Sequence, residues 1–213
     1  MRKLNRTSYL VFVALVLLAS LLFVRAVIRS IRTVPERTTV EGLSMEHPDT
    51  RLILKDGRPW IQVSALMNAT PAQISQVITD YDHLGNFMPH LVYGKTLSVK
   101  GAQRKVRMDI PLLGSHAFSE IDVTEKIEPT GRTYYWEGSG GTIPINHGRW
   151  ILLATGDGPT FVRYEIESYG PFPIPRWAQR LAMMQVLPDV LQHIDKRIID
   201  LKIKNPPYFK ANP

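Results

Sequence analysis

Between Trp60 and Ser168 the chain alternates apolar and polar side chains in runs of strand length, and after Pro175 the apolar spacing changes to steps of three and four. That change of period constrains the fold more than any other feature. The runs are Trp60–Met67, Leu91–Val99, Arg104–Ile110, Ala117–Ile127, Thr133–Glu137, Arg149–Ala154 and Phe161–Ser168. Turn signals punctuate them at Lys55-Asp56-Gly57, Lys100-Gly101, Pro129-Thr130-Gly131, Gly138-Ser139-Gly140-Gly141 and Gly156-Asp157-Gly158-Pro159. Successive strands joined by turns this short are antiparallel, because parallel neighbours need a long crossover. Val162, Tyr164 and Ile166 share one face of the last run, opposite Arg163, Glu165 and Glu167. Val106, Met108 and Ile110 likewise oppose Lys105, Arg107 and Asp109. One face of the sheet is therefore expected to be covered and the other wet.

What covers it is the final element. Trp177, Leu181, Met184, Leu187, Leu191, Ile194, Ile198 and Leu201 form one helical stripe of about seven turns. Pro175 opens this helix, and Pro188 is expected to bend or split it, since proline removes a backbone donor and crowds the preceding turn. A shorter helix is predicted after the first strand. There Thr70-Pro71-Ala72-Gln73 supplies a capping hydroxyl, a proline at the first helical position and a reciprocal Gln. Ile74, Val77 and Ile78 give it an apolar stripe, and its end is expected near Asp80. Asp82 is placed to cap a second short turn carrying Leu84 and Phe87, closed by Pro89.

The N-terminus has a different character. Tyr9–Val24 is uncharged, and with Ala26, Val27 and Ile28 beyond Arg25 the apolar run lies between a signal-peptide core and a full bilayer span. Arg25 can snorkel from the helix end, so an uncleaved anchor is favoured over cleavage after Val24-Arg25-Ala26. The short basic start followed directly by the apolar run is an export pattern. It points to an inner-membrane anchor with the body in the periplasm, or to a soluble periplasmic or secreted form if the segment is cleaved. The expected organisation is an anchor or signal segment over 1–28, a linker over 29–50, one folded domain over 51–204 and an irregular tail over 205–213.

Charge excludes one class of partner. Residues 1–37 hold seven Lys and Arg against one acid, whereas the remaining 176 residues hold 19 basic and 18 acidic side chains. Six of the seven net positive charges thus belong to the membrane-proximal segment. A nearly neutral body offers no basic face for phosphates, so nucleic acid is not an expected partner. The chain has no cysteine, which removes disulfides, thiolate nucleophiles and Cys-ligated zinc. His83, His90, His116 and His147 show no metal-binding spacing, and Ser139-Gly140-Gly141 matches neither a phosphate loop nor a nucleophile elbow. No cofactor is expected. Asp80, Tyr81 and Asp82 sit where helix ends need caps, and His147, beside the Gly138–Gly141 loop, is the best single candidate for acid–base work, although an exposed loop histidine is the commoner outcome at such a place.

The order strand, two short helices, six-strand meander and long helix resembles the START-like (SRPBCC) superfamily, an α+β helix-grip fold. Met67–Pro89, MNATPAQISQVITDYDHLGNFMP, is similar to the coenzyme Q-binding protein and polyketide cyclase/dehydrase branch. The matching features are Ala69-Thr70-Pro71, the apolar helix Ile74–Ile78, Asp80-Tyr81 and Phe87-Met88-Pro89. The run Gly170-Pro171-Phe172-Pro173-Ile174-Pro175-Arg176-Trp177 resembles that branch too. The resemblance spans Trp60 to Lys202 and implies a curved sheet gripping the final helix, with an elongated apolar cavity between them.

On this reading Met108, Tyr134, Trp136, Trp150, Leu152 and Tyr164 from the strands face Trp177, Leu181 and Met184 from the helix across a ligand pocket. The resemblance leaves three readings open. One is a membrane-anchored carrier of a hydrophobic small molecule such as a quinone or lipid. The second is a cyclase, dehydratase or hydrolase acting on an aromatic or polyketide-like substrate. The third is an envelope interaction module with a closed core. An apolar tunnel favours the first, an inward acid or base the second, and a filled core the third. The basic run Arg25–Arg37 is expected to touch anionic headgroups, at about 1 kcal/mol per basic residue near such a surface. Deleting residues 25–37 should therefore weaken binding to anionic liposomes and flatten its salt dependence, as measured by vesicle co-sedimentation.

Overall fold

A computed structural model of the chain describes residue 34 and residues 39–112, 115–171 and 173–209. The expected anchor over 1–28 lies outside the described residues, as does much of the expected linker. Among the described residues no helix is long and apolar enough to cross a membrane.

Eight antiparallel strands form one sheet in the order β1-β2-β8-β7-β6-β5-β4-β3. They are β1 (Asp49–Lys55), β2 (Arg58–Met67), β3 (Tyr93–Lys100), β4 (Gln103–Leu112), β5 (Ser115–Glu128), β6 (Gly131–Gly141), β7 (Ile145–Ala154) and β8 (Thr160–Tyr169). Between β2 and β3 lie α1 (Pro71–Ile78) and a 3-10 turn at Tyr81–Asn86, and α2 (Arg176–Lys204) follows β8. The meander β3 to β8 is the strand set the alternation predicts, and β8 then returns beside β2 in the register Val63↔Tyr164. Strand β1 goes beyond the sequence reading. Its DTRLILK run places Leu52 and Ile53 side by side, both buried, so period-2 contrast is lost there.

Helix α1 carries the capping box in full: Thr70 Oγ1 accepts from the Gln73 N–H at 3.2 Å, and Gln73 Oε1 accepts from the Thr70 N–H at 3.2 Å. Asp82 does not cap the second turn. Its carboxylate accepts from the Thr96 N–H at 3.2 Å and pairs with Lys95 at 3.3 Å, tying the turn to β3. Gly138–Gly141 is not a free turn either. It extends β6 past a register shift opposite Glu120 and Ile121, and a side chain at Gly141 would strike the Phe118 carbonyl. The tail carries a further 3-10 turn at Pro206–Phe209.

Helix α2 runs unbroken for 29 residues through Pro188, neither split there nor ended. Its C-terminal half is clamped, with Leu187, Leu191, Ile194, Ile198 and Leu201 all buried. Each buried Leu or Ile contributes about 1.5–3 kcal/mol, so this half fixes the helix on β2 and α1. Its N-terminal half buries only Gln179.

The opposite face of the sheet holds a cluster of ion pairs. Glu165, wholly buried, receives Arg149 at 2.6 Å, Lys55 at 3.3 Å and the Gln62 amide at 3.2 Å. Glu167 meets His147 Nε2 at 2.7 Å, and the His147 ring lies 4.9 Å from Trp60. His147 is thus a buried strand residue, not an exposed loop histidine, because β7 extends back to Ile145. Burial alone would raise the Glu165 pKa, but Arg149 and Lys55 outweigh it and hold the carboxyl below its ordinary value.

A depressed folded pKa adds stability above the unfolded carboxylate range, and this is lost as pH falls through the folded value. Urea midpoints measured at successively lower pH should therefore fall steeply in the acid range for the wild type. For Glu165→Gln the acid limb should be shallower and the neutral-pH midpoint lower. A second test concerns Gly148, where an added Cβ would run into the Trp136 ring and the Glu165 carbonyl. Gly148→Ala should cost about 1–3 kcal/mol of unfolding free energy as an overpacked site.

Candidate functional site

The stand-off of α2's first half from the sheet leaves a cavity of about 690 Å³. Three kinds of element build it. Strands β4 to β8 supply its wall through inward positions, among them Met108, Ile121, Tyr134, Trp150 and Tyr164. The 3-10 turn and the segment after it supply Tyr81, Leu84 and Met88. Helix α2 supplies Gln179, Ala182, Met183 and Val190, with Ile174 before it.

An aromatic group forms the floor. Tyr164 stacks on Trp150 with ring centroids 4.1 Å apart and on Trp136 at 5.5 Å. The pairing registers Tyr134↔Trp150 and Trp150↔Tyr164 put these rings on adjacent strands, and side-chain-free Gly148 opens the space that the Trp136 indole fills. Such pairs add about 0.5–1.5 kcal/mol beyond area burial, so the floor is rigid before any ligand arrives.

Most polar atoms along the wall are already committed. The Tyr134 hydroxyl donates to Glu125 Oε1 at 2.6 Å, leaving its oxygen to accept from Ser75 on α1. Burial first, and then the Glu125 carboxylate, push the Tyr134 pKa up to about 12. Asn146 accepts from Trp136 Nε1 at 3.1 Å and donates to Ser119 at 2.9 Å. Gln179 accepts from the Gly170 N–H at 2.8 Å and donates to the Ile174 carbonyl at 3.1 Å, strapping the 170–174 segment to the helix. Among the described residues no Asp, Glu, Lys or Arg lines the cavity, and His90, exposed with φ of 60°, stands where the wall reaches solvent.

Five of the residues expected at the pocket stand on its wall: Met108, Tyr134, Trp136, Trp150 and Tyr164. Four do not. Leu152 is wholly buried in the packed core beyond the aromatic floor, so it fills rather than lines. Trp177, Leu181 and Met184 are displaced by a rotation of the helix face. The wall receives Gln179, Ala182 and Met183 instead, and Trp177 is partly exposed, at 38%. The segment RWAQRLAMMQVL is apolar on several sides, so spacing alone does not choose the inward face. The polar wall residues that the sequence reading missed are Tyr81, His90, Asn146, Ser168 and Gln179. Tyr81 reads as part of a helix end, and a Gln gives no apolar signal.

The architecture recurs in solved structures that share little sequence with this chain. Human STARD10 aligns with a TM-score of 0.63 and 10% identity, covering 76% of this chain and 74% of that one. A STAR-related lipid transfer protein fragment from Xanthomonas axonopodis aligns at 0.62 and 16%, covering 76% and 96%. The Zhui aromatase/cyclase from Streptomyces aligns at 0.55 and 9%, covering 67% and 94%. Identities this low establish the helix-grip fold alone. No curated protein matches the chain in sequence. The family model described as polyketide cyclase / dehydrase and lipid transport matches residues 59–194, well over half of the chain. The chain belongs to that family, and its START-like domain encloses an apolar cavity of ligand size.

Proposed function

We propose that this protein is a membrane-tethered binder and carrier of a hydrophobic small molecule, quinone-like or lipid-like, held between the sheet and α2. The observation that carries the reading is the cavity itself: about 690 Å³, walled mainly by aliphatic and aromatic side chains and, among the described residues, without an Asp, Glu, Lys or Arg. Sites for small ligands occupy about 300–1,000 Å³ and are mainly apolar with a few placed polar groups. Burying an oily chain there gains about 25 cal/mol for each Å² of apolar surface removed from water.

The family description covers lipid transport, and one structural neighbour is named a lipid transfer protein. Likeness of Met67–Pro89 to the coenzyme Q-binding branch supports a quinone as one candidate guest. The apolar run Tyr9–Val24 supports a tether, with the body in the periplasm, that keeps the cavity close to the bilayer where such molecules dissolve. The cyclase or dehydratase reading asks for an acid or base inside the pocket. Among the described residues the wall offers only His90, at its solvent end, which favours carriage over catalysis.

The test is mass spectrometry of an organic-solvent extract from full-length protein purified out of native membranes. A defined hydrophobic species, absent from a control membrane protein, is expected in near-stoichiometric amount. Val190→Trp, which fills space at the wall of α2, should abolish its recovery while the circular dichroism spectrum is unchanged. Extracts indistinguishable from the control would overturn the carrier reading.

A further inference from the structure

Two hydroxyls on the cavity wall are left without work. Among the described residues neither Tyr81 nor Tyr164 has a hydrogen-bond partner for its phenolic oxygen, although both rings are fixed and both line the cavity. By contrast Tyr134 is committed to Glu125 and Ser75, Asn146 to Trp136 and Ser119, and Gln179 to Gly170 and Ile174. Neither oxygen is sealed inside the protein, so a guest that displaces water from the cavity must offer each an acceptor or leave it unpaired at a cost. Burial raises the pKa of both phenols above the ordinary tyrosine value, so both carry their protons at physiological pH. A protonated phenol in an apolar wall is a hydrogen-bond donor awaiting an acceptor.

The charge inventory narrows the acceptor. Among the described residues no Lys or Arg lines the cavity to balance an anion, and no Asp or Glu lines it to balance a cation. Behind the wall Arg104 and Glu125 both act on the Tyr81 phenol, with opposite signs, and Glu125 already holds the Tyr134 hydroxyl and pairs with Arg132 at 3.1 Å. A carboxylate or phosphate carried inside would be a buried, unpaired charge, which is strongly disfavoured. An uncharged carbonyl oxygen takes a phenol's proton without that cost.

We infer that the ligand of this cavity is an uncharged molecule with a carbonyl-type oxygen inside the apolar chamber, and that the Tyr81 and Tyr164 hydroxyls are the donors that hold it. This rests on the carrier reading and adds to it the ligand's charge state, its polar group and the two residues that select it. The aromatic floor of Trp136, Trp150 and Tyr164 then packs the part of the molecule next to that oxygen.

The experiment loads delipidated full-length protein from cyclodextrin with an equimolar mixture of hexadecane, methyl palmitate and palmitate, then extracts and quantifies what is retained. These probes share a chain and differ in the group of interest: no acceptor, a neutral ester carbonyl, and a charged carboxylate. Wild-type protein should retain methyl palmitate over hexadecane by roughly three- to tenfold, the range expected for one net hydrogen bond, and palmitate least. Tyr81→Phe and Tyr164→Phe keep the rings and remove the donors. At least one of them should erase that preference while hexadecane retention is unchanged. Equal retention of all three probes, preferred retention of palmitate, or phenylalanine variants that keep the ester preference would overturn the donor assignment and leave the carrier reading intact. Retention of none of the three would sink the carrier reading and this inference with it.

Discussion

The unequal grip of the sheet on its long helix governs everything else in this molecule. From Leu187 onward α2 is pinned by a continuous row of buried aliphatic side chains, and before it the helix is held away from the strands. Had both halves packed alike, the inward rings would meet the helix directly and the chamber would be a solid core. The clamp in one half allows the gap in the other, since five buried Leu and Ile side chains outweigh the contacts forgone nearer the N-terminal end. Gln179 secures the loose end by another means, two hydrogen bonds to backbone, which need no apolar contact with the sheet.

The two ends of the chamber are built from different chemistry. At the far end Ser75, Tyr134, Glu125 and Arg132 form a polar chain linking α1 to β5 and β6, each member satisfied by the next. Such a network is stable only when complete, and its completeness keeps Glu125 from facing the guest. At the other end the boundary is looser, formed by the turn after Leu84, the strapped 170–174 segment and half-exposed side chains of α2. A closed polar cap opposite an adaptable rim fits a container that opens at one end.

Much of this was legible in the sequence, and the parts that were not share a reason. Alternation placed Met108 and Tyr164 on the inward face because each has charged neighbours on both sides in its strand, and Tyr134, Trp136 and Trp150 because each has a polar neighbour on one side and the period of two carries the rest. The capping box of α1 was legible because Thr70 and Gln73 act on each other over three residues. The face of α2 was not, because Ala182, Met183 and Met184 are all apolar and only contact with a distant sheet chooses among them. His147 was misjudged for the same cause. Its partner Glu167 lies 20 residues away and becomes a neighbour only when β7 and β8 pair. Strand β1 escaped notice because its two buried residues are adjacent in sequence.

The pairing of β8 with its neighbours acts as electrical insulation for the chamber. Along this strand Tyr164 and Ile166 point to the guest, while Glu165 and Glu167 point to the cations and histidine on the other side. In a strand a slip of one position turns every side chain over, so the registers Val63↔Tyr164 and Trp150↔Tyr164 separate a neutral interior from one with two negative charges. The ion pairs on the outer surface are therefore more than surface decoration. By anchoring both carboxylates outward they keep the strand from sliding, and so decide from a distance that the inside stays oily.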